Sequence, residues 1–327
     1  MMVCILMFSI HESQAQARPG LRSLGIKIGS MPPGALNAIT DVAGVRVGHC
    51  TLVRGDSIRT GVTAVLPHPG NLFLEKVPAA VEVFNGFGKL AGSTQVNELG
   101  LLETPVLLTN TLSVPAAAQA LIRHMLALPG MEEVYSINPL VAETNDHYLN
   151  DIRAMAVGAD EVETALAAAS GGPVTQGSVG AGTGVRCLGF KGGIGTSSRA
   201  VNTEDGVWTV GALAQTNFGG RLTIDGVPAG KLLERESAEH DGSCVIVLAT
   251  DAPLTHESLR RLARRAFAGM ARTGADFSNG SGDYAIAFST HPALRQGRGV
   301  MKGILPVRPL DGGELDPLFQ AAAEAAE

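Results

Sequence analysis

Short apolar runs separated by turn residues predict both strands and helices along this chain. From 36 to 66, β-branched runs alternate with Gly and Asp residues, a pattern typical of antiparallel strands. Uninterrupted apolar runs predict further buried strands at 105–109, 207–214, 244–249 and 284–289. Apolar residues at helical spacing, with capping or stop residues beside them, predict helices at 116–126, 160–169 and 256–272.

Ser243 lies where a predicted turn meets a predicted buried strand. Asp241-Gly242 is a turn signal, and the apolar run 244–249 follows the serine directly. A backbone that passes from a turn into a buried strand is held rigidly, so a hydroxyl there can be aimed with little loss of order. An Asp-Gly-Ser sequence is also an ordinary turn, and the rest of the chain must decide between the two interpretations.

A second serine, Ser281, precedes the strand predicted at 284–289. From 244 onwards the predicted order is strand, helix, strand. If the two strands are parallel, their starts lie at one edge of the sheet. Ser243 and Ser281 are then neighbours. If the strands are antiparallel or belong to different sheets, this proximity does not follow.

Polar residues cluster after two other apolar runs. Asn110 follows a predicted strand and precedes a predicted helix, and such junctions expose main-chain N–H groups and are common binding sites. The stretch 140–152 (LVAETNDHYLNDI) begins apolar and then becomes polar, for which a solvated loop is the simplest interpretation. Within it we expect Glu143 to be anchored by the apolar entry, and Asp146 and Asp151 to be solvated.

The composition narrows the classes of function. The chain has 327 residues, 45% of them hydrophobic, which is enough for one large domain or two smaller ones. With 25 Lys and Arg against 31 Asp and Glu, the net charge of -6 offers no electrostatic footprint for nucleic acid or an anionic membrane. The expected partner is therefore small, or another protein.

Neither a metal nor a cofactor is expected. The cysteines, at 4, 50, 187 and 244, show neither the spacing of a zinc site nor a redox CxxC. The glycine-rich stretches 177–184 and 191–199 contain neither of the common phosphate-binding motifs.

The first seventeen residues predict export. They carry an apolar stretch of about ten residues and end in Ala15-Gln16-Ala17, which resembles a signal-peptide cleavage site. This predicts a signal peptide at 1–17, a catalytic domain at 18–327, and a periplasmic or secreted protein. No Lys or Arg precedes the apolar stretch, so either the true start lies upstream or the stretch is a core strand, and a cytoplasmic protein is the alternative. No other apolar stretch approaches the roughly 20 residues that span a bilayer.

The candidate chemistry centres on an unusual serine. The GxSxG sequence of common serine hydrolases does not occur. A serine can also be activated by its own α-amino group, once the peptide bond before it is cut. Gly242-Ser243 is a candidate for that bond, because a glycine leaves its carbonyl open to attack. Asn217, at the end of another predicted strand, is a residue type that can donate to an oxyanion, although Asn near Gly is also simple turn chemistry.

Several segments, in order from about 22 to 290, resemble the self-processing aminopeptidases of the DmpA and BapA type. This family includes L-aminopeptidase/D-esterase-amidases and β-peptidyl aminopeptidases. The similar segments are LNAITDVAGVRVGH, RTGVTAVLP, PVLLTNT, VAETNDHYLNDI, GAGTG, FKGGIGTSSR, TVGALAQTNFG, DGSCVIVLATDAPL and NGSGDYAIAFST.

The resemblance implies a fold and a mode of assembly. The fold is an α/β (α+β) four-layer α/β/β/α sandwich, like N-terminal-nucleophile hydrolases but with a different chain path. The precursor cuts itself at Gly242-Ser243 into a larger and a smaller chain, and the pairs assemble into homo-oligomers. Substrates are small peptides or amides, including β-amino acid peptides and D-residue amides or esters.

The resemblance also assigns site residues. Ser243 would be the nucleophile and Asn217 an oxyanion donor. Ser281 and Asp283 would orient the nucleophile and relay its proton, and Glu143 would receive the substrate's amino group. Asn110 and Asn145 belong to the matched substrate-binding segments.

The chain departs from the family pattern at three positions. Asp283 is one methylene shorter than the Glu that other members carry there. Leu112 stands where many have His, and Asn145 where some have Tyr.

Two alternatives remain at this stage. The ornithine acetyltransferases also self-process and share the general fold, but they cut before Thr. A non-catalytic protein that binds a small ligand with its glycine-rich loops would keep its chain intact.

Overall fold

The computed structural model describes residues 20–204, 206–235, 242–297 and 308–327. Its strands, in chain order, are β1 Arg46–Arg54, β2 Ile58–Leu66, β3 Glu75–Gly86, β4 Leu101–Leu102, β5 Val106–Asn110, β6 Leu140–Thr144, β7 Arg186–Cys187, β8 Phe190–Lys191, β9 Gly193–Thr203, β10 Gly206–Asn217, β11 Ser243–Thr250, β12 Gly282–Ser289 and β13 Gln296–Gly297. Its α-helices are α1 Ser93–Leu99, α2 Val114–Leu126, α3 Ala159–Ala167, α4 Ala229–Leu232, α5 His256–Arg272 and α6 Asp316–Ala326.

The main strands form a smaller and a larger sheet. The smaller sheet has the order β1-β2-β5-β6, with the antiparallel β1–β2 hairpin at one side and the parallel β5–β6 pair at the other. The larger sheet has the order β13-β3-β12-β11-β10-β9, and β4 pairs with β3. In its centre β11 is antiparallel to β10 and parallel to β12.

Alternation of side chains along β11 divides the interior into two cores. Val245 and Val247 face the smaller sheet and share a core with Val62 and Leu107. The residues between them point the other way, so that Ile246 packs among the apolar residues of α5 and α6. Helices α2 and α3 contribute to the first core from the far side of the smaller sheet. The layers are therefore α/β/β/α, as the resemblance implied.

Helix α5 determines where the site lies. It runs over the predicted residues, begins with Thr255 as N-cap, whose hydroxyl oxygen accepts the N–H of Ser258, and buries Leu259, Leu262 and Phe267 against the larger sheet. It connects two parallel neighbours, so the starts of β11 and β12 lie at one edge. The conditional prediction for Ser243 and Ser281 is confirmed, since Ser243 pairs with Gly282.

The glycine-rich stretch 191–199 is mostly the long strand β9, which lies at the edge of the larger sheet. Residues 1–17 lie outside the described residues. Within the described ranges, no helix is long and apolar enough to cross a membrane.

Candidate active site

Ser243 is the first residue of β11 and is buried, with 4% of its surface exposed. It lies between Asn217 on β10 and Gly282 on β12. By the alternation of β11 its side chain shares the face of Val245, which looks towards the smaller sheet. There its Oγ accepts a hydrogen bond of 3.2 Å from the main-chain N–H of Asn145. The hydroxyl is therefore held at the edge of the space between the two sheets.

The residue before Ser243 has room for glycine alone. A Cβ on Gly242 would lie 2.5 Å from the carbonyl oxygen of Asn217 and 2.6 Å from the Cα of Phe218, both of them main-chain atoms. The carbonyl oxygen of Gly242 accepts a hydrogen bond of 3.2 Å from the N–H of Gly282. The Gly242-Ser243 peptide is therefore tightly packed between the end of β10 and the start of β12.

The amide of Asn217 joins the strand end to two loops. Its Nδ2 donates to the carbonyl oxygen of Asn145 over 2.9 Å, and its Oδ1 accepts from the N–H of Arg186 over 3.1 Å. Asn145 therefore contacts both Ser243 and Asn217 through its main chain. Its own side-chain oxygen accepts the N–H of His147 over 3.1 Å.

Ser281 and Asp283 lie at the same edge of the sheet as Ser243, but not in contact with its hydroxyl. The Oγ of Ser281 donates to Asp283 over 2.8 Å, and the amide of Asn85 donates to the other carboxylate oxygen over 3.1 Å. Asp283 pairs with Cys244, so its side chain lies on the face of the sheet that looks towards α5. Burial raises the pKa of Asp283, and this effect exceeds the lowering by the hydrogen bonds from Ser281 and Asn85. Asp283 therefore lies behind Ser281 and beside the main chain of Cys244, the residue that follows Ser243.

Glu143 is a buried carboxylate on β6, 2% exposed. One oxygen accepts the main-chain N–H of Lys89 over 2.9 Å, and the other accepts the hydroxyl of Thr111. Burial raises the pKa of Glu143, against the opposing effect of these bonds and of the Lys89 charge. Glu143 is anchored, as its apolar entry predicted, and it is two residues from Asn145.

The solvated-loop interpretation is wrong for the residues around Glu143. Residues 140–144 form a buried strand, and Asp146, expected in solvent, is only 1% exposed. Its carboxylate accepts the amide of Asn150 over 2.9 Å, and Asn150 in turn accepts the N–H of Arg59 on β2. The β1–β2 hairpin therefore packs against residues 146–150. Asp151 is exposed, as expected.

Asn110 is buried beneath the site and does not line the cleft. Its side chain donates to Thr60 over 2.8 Å and accepts the N–H of Ser113 over 3.1 Å, which caps the short helix at 111–113. Both polar groups of this amide are engaged inside the protein. Its assignment to substrate binding stays a prediction with no support from its position.

A cleft of about 810 Å³ opens above these residues. Its lining combines the predicted Glu143, Asn145, Asn217, Gly242 and Ser243 with residues that the sequence did not single out. The latter include Phe87, Lys89, Thr111, His147, Tyr148, Arg186, Phe190, Lys191 and Arg235. Within the described ranges, no group of three His, Cys, Asp or Glu side chains is placed to hold a metal ion.

The short hairpin β7–β8 forms the wall beyond Asn217. Arg186 and Lys191 are paired across it, and the guanidinium of Arg186 stacks on the ring of Tyr148 at 3.2 Å. The ammonium of Lys191 donates to the carbonyl oxygens of Gly182 and Gly192, over 3.0 and 2.9 Å. Burial lowers the pKa of Lys191 to about 8. No sequence signal marked this wall.

A buried serine at a strand start, a glycine before it and a buried carboxylate meet in one cleft of an α/β/β/α sandwich, an arrangement typical of a serine hydrolase. The sequence profile of Peptidase family S58 matches residues 37–327. The chain belongs to this family.

Named relatives agree with this assignment. The β-peptidyl aminopeptidase BapA of Sphingosinicella microcystinivorans is 40% identical over 338 aligned positions, which cover 94% of this chain and 83% of the relative. A Burkholderia β-aminopeptidase structure has a TM-score of 0.85 at 44% identity, covering 93% of this chain and 88% of the other.

A third relative bears on the fold. The L-aminopeptidase D-Ala-esterase/amidase of Ochrobactrum anthropi, described as a new variant of the Ntn hydrolase fold, has a TM-score of 0.88 at 38% identity. The alignment covers 94% of this chain and 88% of that relative. The chain is accordingly a hydrolase of the aminopeptidase type. Nothing in these relatives supports the acyl-transferring or the non-catalytic alternative.

Proposed function

We propose that the chain is a self-processing serine aminopeptidase that removes the N-terminal residue from short peptides and amides. Its nucleophile is Ser243, freed as a new N-terminus by cleavage of the Gly242-Ser243 bond. The observation that carries this proposal is that Ser243 and the buried carboxylate of Glu143 line one cleft, with Asn145 between them. Glu143 is two residues from Asn145, whose N–H contacts Ser243, so its carboxylate can receive the ammonium group of a substrate bound at the nucleophile.

Self-cleavage uses groups that already touch the scissile peptide. The Oγ of Ser243 attacks the carbonyl carbon of Gly242, and the Gly282 N–H that contacts the carbonyl oxygen stabilises the negative charge that develops there. The C–N bond then breaks, and the hydroxyl proton is transferred to the leaving nitrogen. That nitrogen is now the free α-amino group of Ser243, and water hydrolyses the resulting ester, which restores the hydroxyl and releases Gly242 as a carboxylate.

Turnover repeats this chemistry on a bound peptide. The new α-amino group accepts the hydroxyl proton, since its reference pKa of about 7.7 to 8.0 suits a general base near neutral pH. Asn217 donates to the oxyanion, after giving up its bond to Asn145. The leaving amine takes the proton, and water then hydrolyses the acyl-enzyme. Ser281, with Asp283 behind it, orients the amino group from the edge of β12.

Glu143 makes the enzyme an aminopeptidase. A substrate ammonium that enters the cleft loses water, and a carboxylate offsets that cost by a charge-assisted hydrogen bond. The relatives named for β-peptides suggest that β-amino acids are among the residues released. The relative named an L-aminopeptidase and D-Ala-esterase/amidase suggests D-residue amides and esters as well.

The finer assignments are part of the same proposal. Residues 1–17 are a signal peptide, 18–327 are one catalytic domain, and the mature protein is periplasmic or secreted. The processed units assemble into a homo-oligomer.

Mass analysis of the purified protein tests the proposal. We expect a fragment that begins at Ser243 and has 327 − 242 = 85 residues. We also expect cleavage of a free-amine peptide anilide and not of its N-acetylated form. An intact chain with full activity, or equal cleavage of the two anilides, would overturn it.

A further inference from the structure

Basic side chains outnumber carboxylates in the lining of the cleft. Among the described lining residues, Glu143 is the one carboxylate, while Lys89, Arg186, Lys191 and Arg235 are basic. Lys89 is close to Glu143, to which its main-chain N–H is bonded. The other three basic residues belong to segments that Glu143 does not touch.

A series of contacts places Ser243 between Glu143 and the β7–β8 hairpin. Glu143 precedes Asn145 by two residues, and Asn145 contacts both Ser243 and Asn217. Asn217 accepts the N–H of Arg186, which is paired with Lys191 on the β7–β8 hairpin. A peptide with its ammonium at Glu143 and its scissile carbonyl at Ser243 therefore extends its leaving group towards this hairpin.

Lys191 has the chemistry of an anion-binding residue. Its ammonium uses two of its three N–H donors on the carbonyl oxygens of Gly182 and Gly192, which hold it in place without cancelling its charge. In the described part of the chain, no carboxylate forms an ion pair with it. Its lowered pKa reflects the partial loss of water at this position without a compensating negative charge.

We propose that Lys191, on the wall formed by β7 and β8, binds the free C-terminal carboxylate of a dipeptide substrate. This rests on the proposed function and specifies its substrate class. A fully extended peptide advances at most about 3.3 to 3.6 Å per residue. In a dipeptide, the carboxylate therefore lies one residue beyond the scissile bond, on the Arg186 side of Asn217. A longer peptide or a C-terminal amide presents only neutral groups there.

A matched pair of substrates tests the inference on the processed enzyme. The same dipeptide is offered with a free carboxylate and as its C-terminal amide, and kcat/KM is measured for both. A charge-assisted bond in a partly buried place leads us to expect roughly a tenfold preference for the acid. Lys191→Gln should bring the ratio close to one, Lys191→Arg should keep most of it, and Lys191→Glu should invert it.

Lys89→Gln is the matched control, because it removes a basic side chain from the other end of the same cleft. Both rates can change in this variant, but the ratio of acid to amide should stay as in the wild type. A ratio near one in the wild type, or an unchanged ratio in Lys191→Gln, would overturn the inference. Cleavage of both substrates without discrimination would still leave an aminopeptidase, whereas failure to cleave any free-amine substrate would count against the proposed function itself.

Discussion

The main-chain N–H of Asn145 donates to the hydroxyl oxygen of Ser243, across the gap between the two sheets. Ser243 is at the start of β11 in the larger sheet, and Asn145 directly follows β6 in the smaller one. The hydroxyl of Ser243, the proposed nucleophile, is therefore positioned by the packing of the two sheets as well as by its own strand. A donor that cannot rotate away fixes the direction of the oxygen, which reduces the ordering that the reaction requires.

Replacement of Ser243 by Ala should leave the chain uncut. The hydroxyl is the attacking group, and Ala removes it with little change to a strand whose neighbours are main-chain contacts. Denaturing electrophoresis and intact-mass analysis should show the full-length chain alone. Ser243→Cys, which keeps a nucleophile, is the control and should still be processed. A fragment starting at residue 243 in the Ala variant would disprove this mechanism.

Replacement of Asn217 by Ala should lower kcat by roughly 100- to 1000-fold, with a small effect on KM. An oxyanion donor acts mainly where charge develops, and the donor of this amide lies beside the nucleophile through its bond to Asn145. Asn217→Asp is the informative partner variant, because it keeps the acceptor for Arg186 but loses the donor. Both variants should be slow.

Processing of the Asn217 variants has to be measured first, since the same donor can serve self-cleavage. Steady-state kinetics are then compared at equal concentrations of processed enzyme. Near wild-type kcat in fully processed Asn217→Ala would remove this residue from the reaction.

The local parts of the structure followed from the sequence, and the long-range parts did not. Helix α5 was predicted with its bounds because its capping residue and apolar spacing are local signals. The burial of Asp146 was missed because it depends on Asn150 reaching the main chain of β2. The sequence also does not reveal the pairing register of β11 and β12, which turns Asp283 to the face opposite Ser243.

The wall of the cleft was missed for a similar reason. β7 and β8 have two residues each, too few for any periodicity, and they matter only because Arg186 contacts Asn217. Glu143 was predicted correctly as anchored because the apolar residues before it are a local signal.

Replacement of Asp146 by Asn should stabilise the protein at pH 8. Burial raises the pKa of Asp146 to about 6, whereas an unfolded Asp titrates near 3.9. Between these two pH values the carboxyl of Asp146 is protonated in the folded state and ionised in the unfolded state. The free energy of unfolding therefore falls as pH rises from about 4 and stays low above about 6. The isosteric amide avoids that loss, on the order of 3 kcal/mol at pH 8.

Thermal unfolding at several pH values measures this effect. The melting temperature of Asp146→Asn should exceed that of the wild type at pH 8, and the difference should vanish near pH 4. Asp151→Asn, at the exposed end of the same stretch, should change little at either pH. A less stable Asp146→Asn protein at pH 8 would mean that the charged carboxylate is favoured in the folded state.

Replacement of Glu143 by Gln should raise KM for free-amine substrates and narrow the preference over N-acetylated ones. The buried carboxylate lacks its partner when the amine is blocked, so the wild type should discriminate by orders of magnitude. Glu103→Gln is a suitable control, since Glu103 is equally buried but binds Lys76 and Asn138. An unchanged ratio of free to acetylated anilide in Glu143→Gln would clear Glu143 of this role.

The pH dependence of KM gives an independent measurement of the same residue. Since burial raises the pKa of Glu143, the carboxylate is protonated at a higher pH than an ordinary Glu. Ammonium binding should therefore weaken as pH falls, and should begin to do so above the usual value of about 4.3. Glu143→Gln should lack this limb of the profile.

The two fragments produced by cleavage should remain one particle under native conditions. β11, from the smaller fragment, is paired with β10 from the larger one, and β12 with β3. At the far end, Arg199 of the larger fragment donates to the main-chain oxygen of Glu324 over 2.7 Å and forms an ion pair with its carboxylate. Size-exclusion chromatography should elute both fragments together, and they should separate only in denaturant.

Loss of the Glu324 carboxylate should destabilise the processed protein. Burial alone would raise the pKa of its carboxyl, but hydrogen bonds from Gln320, Met31 and Ser30 together lower it to about 2. The charged form therefore stabilises the fold above the unfolded value near 4.3, and this stability is lost as pH falls towards 2. Glu324→Gln leaves the buried guanidinium of Arg199 without its charge partner, at a cost of about 3 to 5 kcal/mol.

The melting temperature of Glu324→Gln at pH 7 should therefore be lower than that of the wild type, and the difference should shrink below pH 4. Glu314→Gln, which removes the exposed partner of Arg308, is the control and should change the melting temperature little. Fragments that separate without denaturant in the wild type would show that these contacts do not hold them together, and a Glu324→Gln protein as stable as the wild type at pH 7 would show that other contacts do.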